Sequence, residues 1–153
     1  MTELPSMEAH ADALADAIEA ALPGWVVRAV AERYEAWSGQ PPPASVAASA
    51  AEAGQRARRA IGGRIRTLLE ADIDEQTTTP LAVLREGVAY PTAVLHLAGV
   101  PPRERDAIAA DMFPEDVYDL TPSSFADLDA SLREPGLRWG AAKAWTHRQR
   151  HGR

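Results

Sequence analysis

At 153 residues the chain is long enough to bury a hydrophobic core without cross-links. Its complete lack of cysteine excludes disulfides, thiolate zinc sites, iron–sulfur clusters and a cysteine nucleophile. A formal net charge of −6 argues against indiscriminate binding to nucleic acid while leaving room for a local basic patch. The basic residues are 15 Arg and one Lys beside 31 Ala, a bias that points to GC-rich coding, so an arginine here is weaker evidence for phosphate or carboxylate recognition than usual.

The acidic opening MTELPSMEAH lacks the positive and apolar regions of a secretory signal. No run reaches the roughly 20 apolar residues of a membrane span, so a soluble cytoplasmic protein is expected. From Met7 to Leu22 the pattern is an amphipathic helix, with Leu14, Ile18 and Leu22 on one face and Asp12, Asp16 and Glu19 on the other. Pro23-Gly24 breaks that pattern, and a second helix from Trp25 to Trp37 carries Val26, Val30 and Tyr34 on one side. The two are predicted to form a helical hairpin. SGQPPPAS, residues 38–45, reads as a stiff connection, the other reading of three prolines being an SH3-type ligand.

Ser45 opens a long helix to about Ala71, lined by Ala50, Ala53, Ala57, Ile61 and Leu68, with a bend expected near Gly62-Gly63. After the loop at 72–79, Pro80 to Ala98 is the most apolar run of its length. Thr79-Pro80 is a helix start, and Gly99 followed by Pro101-Pro102 a stop; two stripes, one with Leu84, Val88 and Leu95, the other with Val83, Val94 and Leu97, predict a buried central helix kinked at Pro91. PPRERDAIAADMF predicts a short helix with Ile108, Met112 and Phe113 turned inward. Pro114 to Gly136 reads as an irregular segment wrapped over the core, with Thr121-Pro122 starting a helix to about Leu132. A last helix from about Leu137 ends in a frayed basic tail, 146–153. No stretch shows sustained strand alternation. The expectation is one all-α domain over 1–153, a compact bundle of five to seven helices around Pro80–Ala98.

The densest basic stretch, RARRAIGGRIR, holds Arg56, Arg58, Arg59, Arg64 and Arg66. It reads as a solvated face partly paired to its own acids, with Glu52 four before Arg56 and Glu70 four after Arg66. Two functional readings stand beside it, a docking face for an acidic protein and a track for a phosphate backbone. Trp139 and Trp145 lie among basic residues, as where bases stack on aromatics. Six residues is about 240° round a helix, so at least one of the two is expected in the core or as an intramolecular cation–π partner. His147 and His151 have a metal-compatible spacing without a third ligand, and the acids from Glu115 to Glu134 lack the pattern of a calcium loop. Phosphate loops, dinucleotide turns, nucleophile elbows and zinc-protease helices are missing, which leaves an enzyme reading resting on isolated groups such as His10, Tyr90 and His96.

The stretch YPTAVLHLAGVPPRERDAIAADMFPEDVYDLTPSSFADLD together with PGLRWGAAKAW, within residues 90–145, resembles small helical proteins of high-GC actinomycete bacteria. The resemblance implies a bacterial cytoplasmic origin and carries no activity, cofactor or site. From the residues themselves the expected function is a non-catalytic interaction or regulatory protein that docks on a bacterial protein partner or on a second copy of itself. Arg56, Arg58, Arg59, Trp139 and Trp145 are the expected contact residues, because Trp and Arg are favoured at interface centres. The alternative partner is nucleic acid; no membrane, cofactor, metal or catalytic residue is predicted.

Overall fold

The computed structural model describes residues 7–71, 81–103, 107–112, 117–120 and 124–151. Among these residues every regular element is helical, and no helix is long and apolar enough to cross a membrane.

The expected hairpin at Pro23 does not form. Met7–Ser38 is one helix, α1, of 32 residues. A proline in a helix interior costs about 3 kcal/mol, and here burial on both sides of it offsets that cost: Leu14, Ile18 and Leu22 before Pro23, and Trp25, Val26 and Val30 after it, are all buried. Leu22 and Val26 are four apart, so the two stripes are in phase and a single straight face serves both. Tertiary burial has overridden local propensity.

Helix α2, Ala44–Ile61, packs along α1. Its inner face is a seam of small residues, Ala50, Ala53, Gly54 and Ala57, all buried. A Cβ at Gly54 would stand 2.8 Å from both the Cα and the carbonyl oxygen of Pro23. Only glycine allows that approach, and the proline that fails to break α1 becomes the point where α2 touches its backbone. The bend expected near Gly62 is a single 3-10 turn, Gly62–Arg64, followed by α3, Ile65–Ala71.

The apolar run is interrupted at Val88 into α4, Leu81–Gly87, and α5, Ala89–Leu97, rather than kinked at Pro91. The cause still lies in the proline, because without an N–H it leaves the Gly87 carbonyl without its usual helical donor. The neighbouring bonds persist, from Val88 N–H to the Leu84 carbonyl at 2.9 Å and from Thr92 N–H to the Val88 carbonyl at 3.2 Å. The stop is as expected: Gly99 has φ +80°, its N–H donates to His96 at 3.1 Å, and Val100 N–H donates to Leu95 at 3.1 Å. These are the two bonds of a Schellman ending, with Leu95 and Val100 both buried.

Helix α1 is packed against α2, α3, α5 and α8 (Arg133–His151), whereas α5 is packed on α1, α2 and α4. Residues 81–98 contribute Val83, Leu84, Val88, Val94 and Leu95 to the core.

Helix α6, Ala107–Met112, differs from expectation in that Ile108 is 75% exposed; the Met112 side chain and Phe113 lie outside the described residues. Of the segment before the last helix, Tyr118, Phe125, Leu128 and Leu132 are buried. It contains a one-turn helix, α7, Phe125–Leu128, and a 3-10 turn, Ala130–Leu132. The Ser124 hydroxyl accepts from Asp127 N–H at 3.3 Å, and Asp129 accepts from Ser131 N–H at 2.9 Å, so each turn has a side-chain cap. Thr121-Pro122 lies outside the described residues. Helix α8 starts four residues before the expected Leu137 and takes Pro135 into its first turn, where a missing N–H leaves no helical bond unmade. It stays helical to His151, through most of the segment expected to fray.

Candidate docking face on α2 and α5

Three of the five arginines in the basic stretch tie elements of the fold together. Arg58 Nε lies 3.6 Å from Glu19 on α1. Arg64 makes a fork with Glu86 on α4, Nη1 to Oε2 at 2.6 Å and Nη2 to Oε1 at 2.7 Å. Arg66 reaches Asp12 on α1 at 2.6 Å and Glu70 at 3.6 Å. All of these pairs are solvent-accessible, so each adds little to stability, but each consumes a charge. Arg56 and Arg59 are exposed and enter no ion pair among the described residues, and the expected Glu52–Arg56 pairing is not made. Three apart on α2, they sit side by side.

Beside Arg56 runs an open groove of about 370 Å³ between α2 and α5. Ser45, Val46, Ser49 and Glu52 line one wall with Arg56, and Ala93, Val94 and Leu97 the other, so the groove carries one charge of each sign. Leu97, expected in a buried stripe, is 87% exposed. It occupies the last turn of α5, immediately before the chain turns away at Ala98-Gly99, so no further helix covers it. The sequence carries a signal for this in the position of Leu97 directly ahead of a glycine stop, a place where an apolar period ends without having to be buried.

The two tryptophans separate. Trp139 is 2% exposed, its ring edge-on to Phe125 at 6.1 Å between centroids and 89° between planes. The only lysine in the chain, Lys143, is 3% exposed, with Nζ 4.5 Å from the Trp139 centroid. Trp139 is thus both a core residue and an intramolecular cation–π partner, and it presents no surface for docking. Trp145, six residues on, is 52% exposed. With Trp139 buried, the five expected contact residues do not all gather at one surface; Arg56, Arg58 and Arg59 lie on α2 and Trp145 on α8.

Other polar groups are committed to the fold. Arg28 on α1 donates to Asp129 at 3.3 Å and to the Leu128 carbonyl, fastening the 124–132 segment to α1. The hydroxyl and N–H of Ser131 donate to Asp129 and hold its carboxyl below the ordinary carboxylate range, with Arg28 adding to the effect. Burial pushes the Tyr118 hydroxyl up, partly opposed by the positive charge of Arg33; that hydroxyl donates to the Val100 carbonyl at 2.8 Å. His10, Tyr90 and His96 line neither this groove nor the larger cavity beside α1. Among the described residues no three metal-ligating side chains cluster. No family model matches this chain, nor does any curated protein or solved structure.

Proposed function

We propose that the chain is a non-catalytic helical interaction protein that docks on an acidic surface of a protein partner through the α2–α5 face, with Arg56, Arg59 and Leu97 as its contacts. The observation that carries this reading is the contrast within one basic stretch: Arg58, Arg64 and Arg66 are paired to the chain's own acids, while Arg56 stands unpaired in a groove with exposed Leu97, and Arg59, also unpaired, is exposed three residues further along α2. An unpaired guanidinium next to apolar surface is the combination found at interface centres, and charge complementarity selects an acidic partner. The same contrast works against nucleic acid, because a phosphate track needs its cations free. Trp145 serves as a separate exposed anchor on α8. In architecture the helices form a single bundle laid along α1, with α4 and α5 as one wall and residues 124–132 closing one end.

The test is capture of partners by the tagged wild-type chain and by the Arg56→Glu/Arg59→Glu double variant, with nuclease present. Arg133→Glu, exposed and outside both the groove and the larger cavity, is the control. Docking through this face predicts a protein partner that survives nuclease, is retained by Arg133→Glu and is lost from the double variant. A partner kept in full by the double variant removes the assignment.

A further inference from the structure

A second, larger cavity, about 500 Å³, opens where α1 faces residues 103 and 118–120. This is within the roughly 300–1,000 Å³ typical of small-molecule sites. Its apolar part is supplied by Trp25, Ala29 and Leu120, and its charged part contains both signs.

On the positive side, Arg28 is spent on Asp129 and the Leu128 carbonyl, but Arg33 and Arg103 are not similarly neutralised. Arg33 donates to the Pro101 carbonyl at 3.1 Å, which positions the guanidinium without offsetting its charge. Arg103 is fixed through its backbone, its N–H donating to the Val117 carbonyl at 3.0 Å. On the negative side are Glu32, Asp119 and Asp127, the last of which has a partner in the chain. Asp119 is the single non-glycine residue with positive φ among the described residues, at +59°. A short polar side chain tolerates this conformation, and strain of this kind collects where a side chain is aimed for a purpose. No ion pair joins Arg33 or Arg103 to Glu32 or Asp119 among the described residues. Of the three arginines and three acids on its walls, Arg28 and Asp127 have partners in the chain, which leaves Arg33, Arg103, Glu32 and Asp119 as two cations and two anions that do not satisfy one another.

We propose that this cavity binds a small zwitterion, an α-amino acid with an apolar side chain. Its carboxylate sits on Arg33 and Arg103, its ammonium on Asp119 and Glu32, and its side chain over Trp25, Ala29 and Leu120. A ligand that covers these walls takes the charged groups out of water, and each then needs a counter-charge to avoid a desolvation penalty. A simple anion would leave the carboxylates unmatched, and a simple cation the arginines. A molecule with both charges and an apolar group answers the four unmatched charges and the apolar wall together.

The experiment is an NMR titration that follows the Trp25 indole and the Leu120 methyls, with four probes: L-phenylalanine, L-leucine, N-acetyl-L-phenylalanine and L-phenylalaninamide. The free amino acids are expected to shift both signals at millimolar concentration. The two blocked forms, each missing one charge, are expected to bind about tenfold more weakly, the loss of one charge-assisted contact. Arg103→Ala weakens L-phenylalanine but leaves the amide unchanged, and Asp119→Asn, which keeps the left-handed backbone, weakens L-phenylalanine but leaves the N-acetyl form unchanged. That crossed pattern cannot come from a folding defect, which would weaken all probes alike. Equal binding of the blocked and free forms, or no shift of Trp25 and Leu120 with either free amino acid, overturns the proposal. The Arg56→Glu/Arg59→Glu variant should titrate as wild type, so this site and the docking face fail or stand separately.

Discussion

The seam between α1 and α2 and the closure of α7 onto α8 both rest on a glycine, Gly54 against the Pro23 backbone and Gly136 against the Phe125 ring, but fill the rest of the contact with different materials. In the seam, alanines and Gly54 bring two backbones together until a single Cβ has no room. In the closure, Phe125, Trp139 and Lys143 fill space with large groups, and the 124–132 segment is held to α1 by Arg28. The lesson is about where surface is left over. A close seam leaves no hollow between its helices, so what α2 offers the outside lies away from α1, with Arg56 on the groove toward α5 and Arg59 exposed nearby. A closure built from bulky side chains and short turns leaves a hollow beside it, the cavity next to Trp25, Asp119 and Asp127.

The sharpest way to break that contrast is at its largest side chain. Trp139→Ala should cost about 3–5 kcal/mol, measured by urea unfolding, because it empties a fully covered volume and strips Lys143 and Phe125 of their partner. A cost below about 1 kcal/mol would mean that the closure is not packed as described. Gly54→Ala comes next, at about 1–3 kcal/mol. Its Cβ meets Pro23 backbone, which cannot rotate away. An unchanged or raised unfolding midpoint would show that the seam is looser than the 2.8 Å approach implies.

Asp129 sharpens the comparison through pH. Its folded carboxyl titrates below the ordinary carboxylate value, so the stability it contributes is present above the unfolded pKa and is lost as pH falls through the folded one. Asp129→Asn should therefore lower stability at neutral pH and flatten the acid limb of the stability curve. A parallel shift of the whole curve would remove this cause. The smallest expected effect is at Arg64 and Glu86. Despite fork geometry at 2.6 and 2.7 Å the pair is solvent-exposed, and a double-mutant cycle should give about 0–1 kcal/mol, falling with salt.

Helical periodicity was enough to read the class of fold, the seam alanines, the turn at Gly62 and the Gly99 stop, because each depends on residues within a turn or two of one another. What was not legible depends on contacts across the fold. Pro23 reads as a break until Gly54 is known to lie against it. Leu97 belongs to a buried stripe by spacing and loses its cover only because the chain leaves at Gly99. Ile108 has inward periodicity, yet it is exposed. The division between paired and unpaired arginines depends on Asp12, Glu19 and Glu86, which are 22 to 54 residues away along the chain for Arg64 and Arg66 and reach them only through folding. Of the two tryptophans, spacing required that they separate but did not determine which would be inside.

The most direct measurement of docking is a photo-crosslink from the exposed position itself. With Leu97 replaced by p-benzoylphenylalanine and the chain expressed in its own cells, docking on the α2–α5 face predicts one covalent adduct to an acidic protein, abolished by Arg56→Glu/Arg59→Glu in the same chain. An adduct of unchanged yield in the double variant, or no adduct from Leu97 while the partner is still captured, would contradict it.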